Sequence, residues 1–107
     1  MNIGITIHAT DLAINIVELA REAEARGFYS LYIPEHTHIP VSRLTPAPTG
    51  EEVLGEEYKR SLDPYTALAA AASATKRILL GTGVALVAQH HPITLAKQLA
   101  TLDLLSN

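Results

Sequence analysis

The chain has no cysteine and no tryptophan, and only one phenylalanine and four tyrosines among its 107 residues. Without thiols it cannot form a disulfide, ligate a metal through cysteine or use a thiol nucleophile. Charge is also sparse: 18% of residues are charged, and 8 Lys and Arg against 11 Asp and Glu leave a formal net charge of −3. The basic residues stand singly or in adjacent pairs, which argues against a nucleic-acid surface, where clustered Lys and Arg must face phosphates. No apolar run approaches the roughly 18 residues of a membrane span. The start, Met1-Asn2-Ile3-Gly4, lacks the basic stretch that opens a secretory signal, so a cytoplasmic protein is the expectation. What the chain does have is 48% apolar residues, enough for one small globular domain.

Periodicity divides the chain into alternating elements. Ile3, Ile5 and Ile7 alternate with small residues and predict a strand at about 2–7. A helix is expected over about 11–26, capped by Thr10 or Asp11, with Ala13, Ile16, Val17, Ala20 and Ala23 on its apolar face and Gly27 at its C-cap. Ser30-Leu31-Tyr32-Ile33 predicts a second strand ending at Pro34. From 34 to 62 no period is sustained, and Pro40, Pro46, Pro48, Gly50 and Gly55 punctuate a loop with at most a helical turn near Glu51–Tyr58. A loop longer than about 12–15 residues in a compact domain is usually functional or disordered.

Asp63-Pro64 reads as an N-cap followed by proline at the first helical position, opening an Ala-rich helix over about 64–75. Residues 78–86 form an expected third strand, apolar on both faces, in which Gly81 and Gly83 signal a bulge or a close approach by something else. Pro92 opens a third helix, about 92–105, with Ile93, Ala96, Leu99, Ala100 and Leu102 as its apolar stripe.

Strand and helix alternating three times predict right-handed βαβ units and a parallel sheet. A (β/α)8 barrel spends about 31 residues per unit, so the chain matches about three such units with one enlarged loop. A doubly wound nucleotide-binding sheet would place a Gly-rich turn after the first strand, where His8-Ala9-Thr10-Asp11 stands instead. The expected fold is therefore α/β of the TIM-barrel type, represented by its first three units.

All five histidines fall just past the C-terminal end of an expected strand: His8, then His36 and His38, then His90 and His91. In barrels that is the face on which active sites are built. Glu35-His36 is the most suggestive pair, a carboxylate and an imidazole opening the anomalous loop. His90 and His91 read more simply as polar loop residues.

Four segments in register, Pro34-Glu35-His36-Thr37-His38-Ile39-Pro40, Leu62-Asp63-Pro64-Tyr65, Leu80-Gly81-Thr82-Gly83-Val84 and Pro92 to Asp103, resemble the N-terminal third of the luciferase-like monooxygenase superfamily. Within it they are most similar to the oxidoreductases that use the deazaflavin coenzyme F420. The resemblance implies a barrel that binds coenzyme F420, or alternatively FMN, at the strand C-termini, with a small organic molecule as substrate. It implies catalytic roles for Glu35 and His36, with His36 moving a proton as hydride moves to or from the deazaflavin. Cofactor contacts would come from Glu35, His36, Gly83, Val84 and His8. The family's non-prolyl cis peptide on the third strand would fall at Gly83-Val84.

Three other readings stay open. His8, His36 and His38 invite a metal-dependent barrel hydrolase, but Pro34 and Pro40 bracket His36 and His38 and disturb the strand geometry that would aim both at one ion, so no metal ligand is assigned. An FMN-dependent monooxygenase shares the same residues. Finally, three strands leave a free sheet edge, which fits a non-catalytic fragment or an assembly module that forms a homo-oligomer through that edge.

Overall fold

The computed structural model describes residues 1–47 and 50–106. Pro48 and Thr49, within the long loop read from the sequence, and Asn107 lie outside the described residues. The elements run β1 (Gly4–Thr6), α1 (Ile16–Ala25), β2 (Ser30–Ile33), α2 (Pro64–Ala72), β3 (Leu79–Thr82) and α3 (Pro92–Ser106), with short 3-10 turns at Glu56–Lys59 and Val87–Gln89. The strands form one parallel sheet in the order β1-β2-β3, with Gly4, Ser30 and Leu79 in one row of the register. Each new strand is laid down beside the last, as in a singly wound sheet.

Alternation along β2 explains where the core lies. Leu31 and Ile33 point to one face and are fully buried there with Ile16, Ala20 and Ala23 of α1 and Ala67, Leu68 and Ala71 of α2. Small alanines let both helices approach the sheet closely. On the opposite face Tyr32 is 41% exposed and Leu79 51% exposed. The glycines in and just after β3 answer to Tyr32: its ring occupies the space a side chain at Gly81 would need, 2.7 Å from that Cβ position, and its own Cβ lies 3.3 Å from the one at Gly83.

Local chemistry sets the element ends. α1 starts later than periodicity predicts, because the Thr10 hydroxyl is taken by the Leu12 and Ala13 N–H groups in a separate turn and Asp11 pairs with Arg60. Asn15 caps the helix instead, its Oδ1 accepting from Val17 and Glu18. At the other end Gly27 adopts φ +80°, with Phe28 N–H bonded to Ala23 and Gly27 N–H to Glu24, a Schellman closure. Asp63 caps α2 through Thr66 N–H at 2.8 Å, with Pro64 first in the helix.

Two further expectations are corrected. β3 ends at Thr82 rather than continuing to Leu86, since the backbone leaves the ladder at Gly83 and turns toward β2's exit. α3 buries Leu95, not the expected stripe: Ile93 stays 76% and Leu99 45% exposed, while Leu102 alone of that stripe packs partly against the core. The reason is geometric, because α3 packs on α2 and along its outer side borders an open groove of about 820 Å3 beside the free edge of β3.

Candidate functional site

The C-terminal ends of β2 and β3 are knitted together by the residues that follow them. Pro34 has no N–H and ends the β2 ladder. Across the gap Gly83 N–H donates to the Ile33 carbonyl at 2.8 Å, and Glu35 N–H to the Val84 carbonyl at 3.3 Å. The Glu35 side chain then turns inward with none of its surface exposed. One carboxylate oxygen accepts the Leu86 N–H at 2.6 Å and the other accepts His90 Nε2–H at 2.5 Å. The His90 ring in turn stands edge-on to Tyr65, whose hydroxyl is pushed up by burial first and then by the nearby Glu35 and Asp63 carboxylates. Two residues beyond Glu35, the Thr37 hydroxyl donates to Gln89 Oε1 at 2.6 Å. That hydroxyl has no second proton, so its 2.8 Å contact with His38 Nδ1 places the hydrogen on the imidazole.

His36 points the other way from Glu35. Its ring stacks on His8 with centroids 4.9 Å apart, and both rings meet the edge of Tyr58 at 4.8 and 4.9 Å. Tyr58 arrives on the 3-10 turn at the end of the long loop, which is tied to β1's exit by a Thr10–Ser61 bridge and by Leu62 N–H on the Ala9 carbonyl. Ser61 donates its proton to the Glu57 carbonyl, so His8 Nε2 is the donor in its 2.9 Å bond to Ser61 Oγ. Burial lowers the His36 pKa below 6.5, and the charge of a protonated His8 lowers it further. The imidazole is thus held neutral near pH 7. A cavity of about 270 Å3 opens beside it, walled by His36, Thr37, His38, Ile39, Tyr58, Lys59 and Ser61.

Of the residues singled out from the sequence, the structure joins His8 to His36 directly and bonds Gly83 to the backbone of Ile33 and Val84 to that of Glu35. The Gly83–Val84 peptide bond is cis. Val84, two residues past the end of β3, is 74% exposed. His36 and His38 line the cavity, whereas His8, Glu35, Gly83 and Val84 are not among its lining residues. His90, read from the sequence as a loop histidine, is instead half-buried against Glu35; His91 is exposed. Tyr58, Ser61 and Gln89 carry no sequence signal, since each reaches the site through a residue distant in the chain: Tyr58 and Ser61 through His8, and Gln89 through Thr37. Among the described residues no group of three or more His, Asp or Glu is placed to hold a metal ion, and no helix is long and apolar enough to cross a membrane.

The chain is 49% identical over 109 aligned positions to uncharacterized proteins of Mycobacterium tuberculosis and Mycobacterium bovis, an alignment covering 100% of this chain and 39% of each relative. The chain therefore spans about two fifths of the length of these curated relatives. The family model for luciferase-like monooxygenases matches residues 4–107. The chain belongs to the luciferase-like monooxygenase family.

Proposed function

We propose that the chain supplies the proton-transfer side of an oxidoreductase site in which hydride passes between the deazaflavin coenzyme F420 and a small organic substrate. The observation that carries this reading is His36: a partly desolvated imidazole, kept neutral, on the wall of a cavity at the strand C-termini. The residues present suit a planar redox ring. Val84 offers an exposed apolar side chain two residues past the end of β3, and the Glu35–Val84 hydrogen bond sets that segment next to His36. The bound deazaflavin supplies the hydride donor or acceptor.

In the direction of substrate oxidation, neutral His36 takes the proton released as hydride leaves the substrate carbon. His8, stacked against it, disfavours the resulting imidazolium and promotes onward loss of that proton to solvent. In the reverse direction His36 delivers the proton. Such help is worth about 10²–10⁴-fold in rate. Tyr58 and Ser61 fix the His8–His36 stack from the loop side and so hold the acceptor nitrogen at the cavity wall.

The test is a pair of titrations, oxidised F420 and FMN added separately to the full chain while their visible spectra are followed. Perturbation of the deazaflavin spectrum, with FMN unchanged, is expected. Perturbation of FMN alone would transfer the site to flavin chemistry, and no change with either would contradict the reading.

A further inference from the structure

We infer that Glu35 is a positioning residue whose carboxylate, through Leu86 N–H and the His90 ring, sets the shape of the 83–90 segment and with it the Val84 face of the site. The inference rests on the proposed cofactor reading for its functional meaning, and on Glu35's own geometry for its physical content. A carboxylate with no exposed surface has no route to substrate or solvent, and both of its oxygens are already occupied by groups of this chain. An acid or base that touches reactants needs at least one free oxygen facing them.

The bonds instead span a segment that has no ladder of its own. After Thr82 the backbone leaves the sheet, and between Gly83 and Pro92 its order comes from one 3-10 turn, its reverse-turn bonds and the links to residues 33–37. Glu35 makes three of those links, one from its N–H and two to its carboxylate. They fasten Val84, Leu86 and His90, while the neighbouring Thr37 fastens Gln89. A buried carboxylate depends on its hydrogen-bond partners, because losing one leaves the group less compensated. Loosening this anchor therefore frees the segment that carries Val84 while leaving the helix-covered core intact, since Leu31, Ile33, Ala20 and Ala71 do not depend on it.

The two carboxylate contacts can be separated by substitution. In Glu35→Gln the amide oxygen still accepts from Leu86, but the amide nitrogen now faces His90 Nε2, which must give up its hydrogen and become the acceptor. In Glu35→Ala both contacts are lost. The experiment uses the full chain, first without cofactor, and reads backbone amide exchange together with the 15N shifts of the imidazoles. In the unsubstituted chain Leu86 N–H is expected to be protected and His90 to carry hydrogen on Nε2. Glu35→Gln should retain protection at Leu86 and switch the His90 tautomer to Nδ1–H. Glu35→Ala should raise Leu86 exchange by tenfold or more without changing Leu31 or Ile78.

The same variants are then titrated with oxidised F420, expecting weakening of tenfold or more for Glu35→Ala and recovery to within a few-fold for Glu35→Gln. Unchanged Leu86 exchange in Glu35→Ala, or an unchanged His90 tautomer in Glu35→Gln, would overturn the inference. So would cofactor binding that is equally tight in all three chains. If Glu35→Ala does not fold, Glu35→Gln and His90→Ala decide the matter: the His90 variant should leave Leu86 protected, and loss of that protection would contradict the direct carboxylate contact. Failure of the unsubstituted chain to bind F420 would count against the proposed function alone, because the cofactor-free measurements judge the anchor independently.

Discussion

A carboxylate braces each rim of the sheet at β3, and the two do so in opposite surroundings. At the N-terminal rim Glu24, projecting from α1, accepts the N–H groups of Lys76, Arg77 and Ile78 at 2.8, 2.5 and 3.0 Å, just before β3 begins. At the C-terminal rim Glu35 accepts Leu86 N–H and His90, just after β3 ends. Glu24 lies in contact with solvent and its pKa is lowered to about 2, chiefly by those three backbone donors. The Glu35 side chain is fully buried. The same device thus does two jobs. Where it stays wet it ties a helix to the start of a strand, and where it is buried it shapes the segment at the rim on which barrels place their chemistry.

The broadest way to break the comparison is to weaken what lies between the rims. Leu31→Ala removes a fully buried side chain from the central strand and is expected to cost about 2–5 kcal/mol, lowering the stability of both rims together in a urea unfolding curve. A loss confined to one rim's amide exchange would show that the rims fold separately. A sharper test takes Glu24 alone. Its folded pKa of about 2 lies below the ordinary 4.5, so its contribution to stability is complete above pH 4.5 and is lost as the pH falls through that value toward 2. Glu24→Gln should lower the melting temperature at pH 7 and flatten that acid limb, while the His36 titration followed by NMR stays where it was.

The smallest expected effect lies within the cavity wall. His8→Ala removes the lesser of the two influences on His36, so the His36 pKa should rise part of the way back toward 6.5, with burial still holding it low. Because that pKa is depressed in the folded chain, His36 favours folding above pH 6.5 and withdraws its contribution as the pH falls. An unchanged titration in His8→Ala would mean that the stacked rings do not sense each other's charge.

The helix-covered face is largely legible in the sequence, whereas the Glu24 brace at the N-terminal rim, which joins residues 52 to 54 positions apart, is not. Ser30–Ile33 is a strand residue for residue, bounded by Gly27 and Pro34, and the Asp63-Pro64 start of α2 follows from capping chemistry that acts within four residues. Local rules failed where a distant group intervened. Thr10 looked like a helix cap until its hydroxyl was taken by a preceding turn, and α3's stripe had no sheet to cover on its outer side. The C-terminal rim was legible only as a set of candidate residues. His36 stood out by position, but the division of labour between it and Glu35 depends on His90, 55 residues along the chain, and on Tyr58, delivered by an aperiodic loop. No period or spacing encodes such contacts.

The contrast between the rims can be put to one measurement, hydrogen exchange of the full chain with and without oxidised F420. Protection should increase at Glu35 to Thr37 and across Val84 to His90, with no change at Lys76 to Ile78. Equal protection at both rims, protection at the Glu24 rim alone, or no change anywhere would contradict the account.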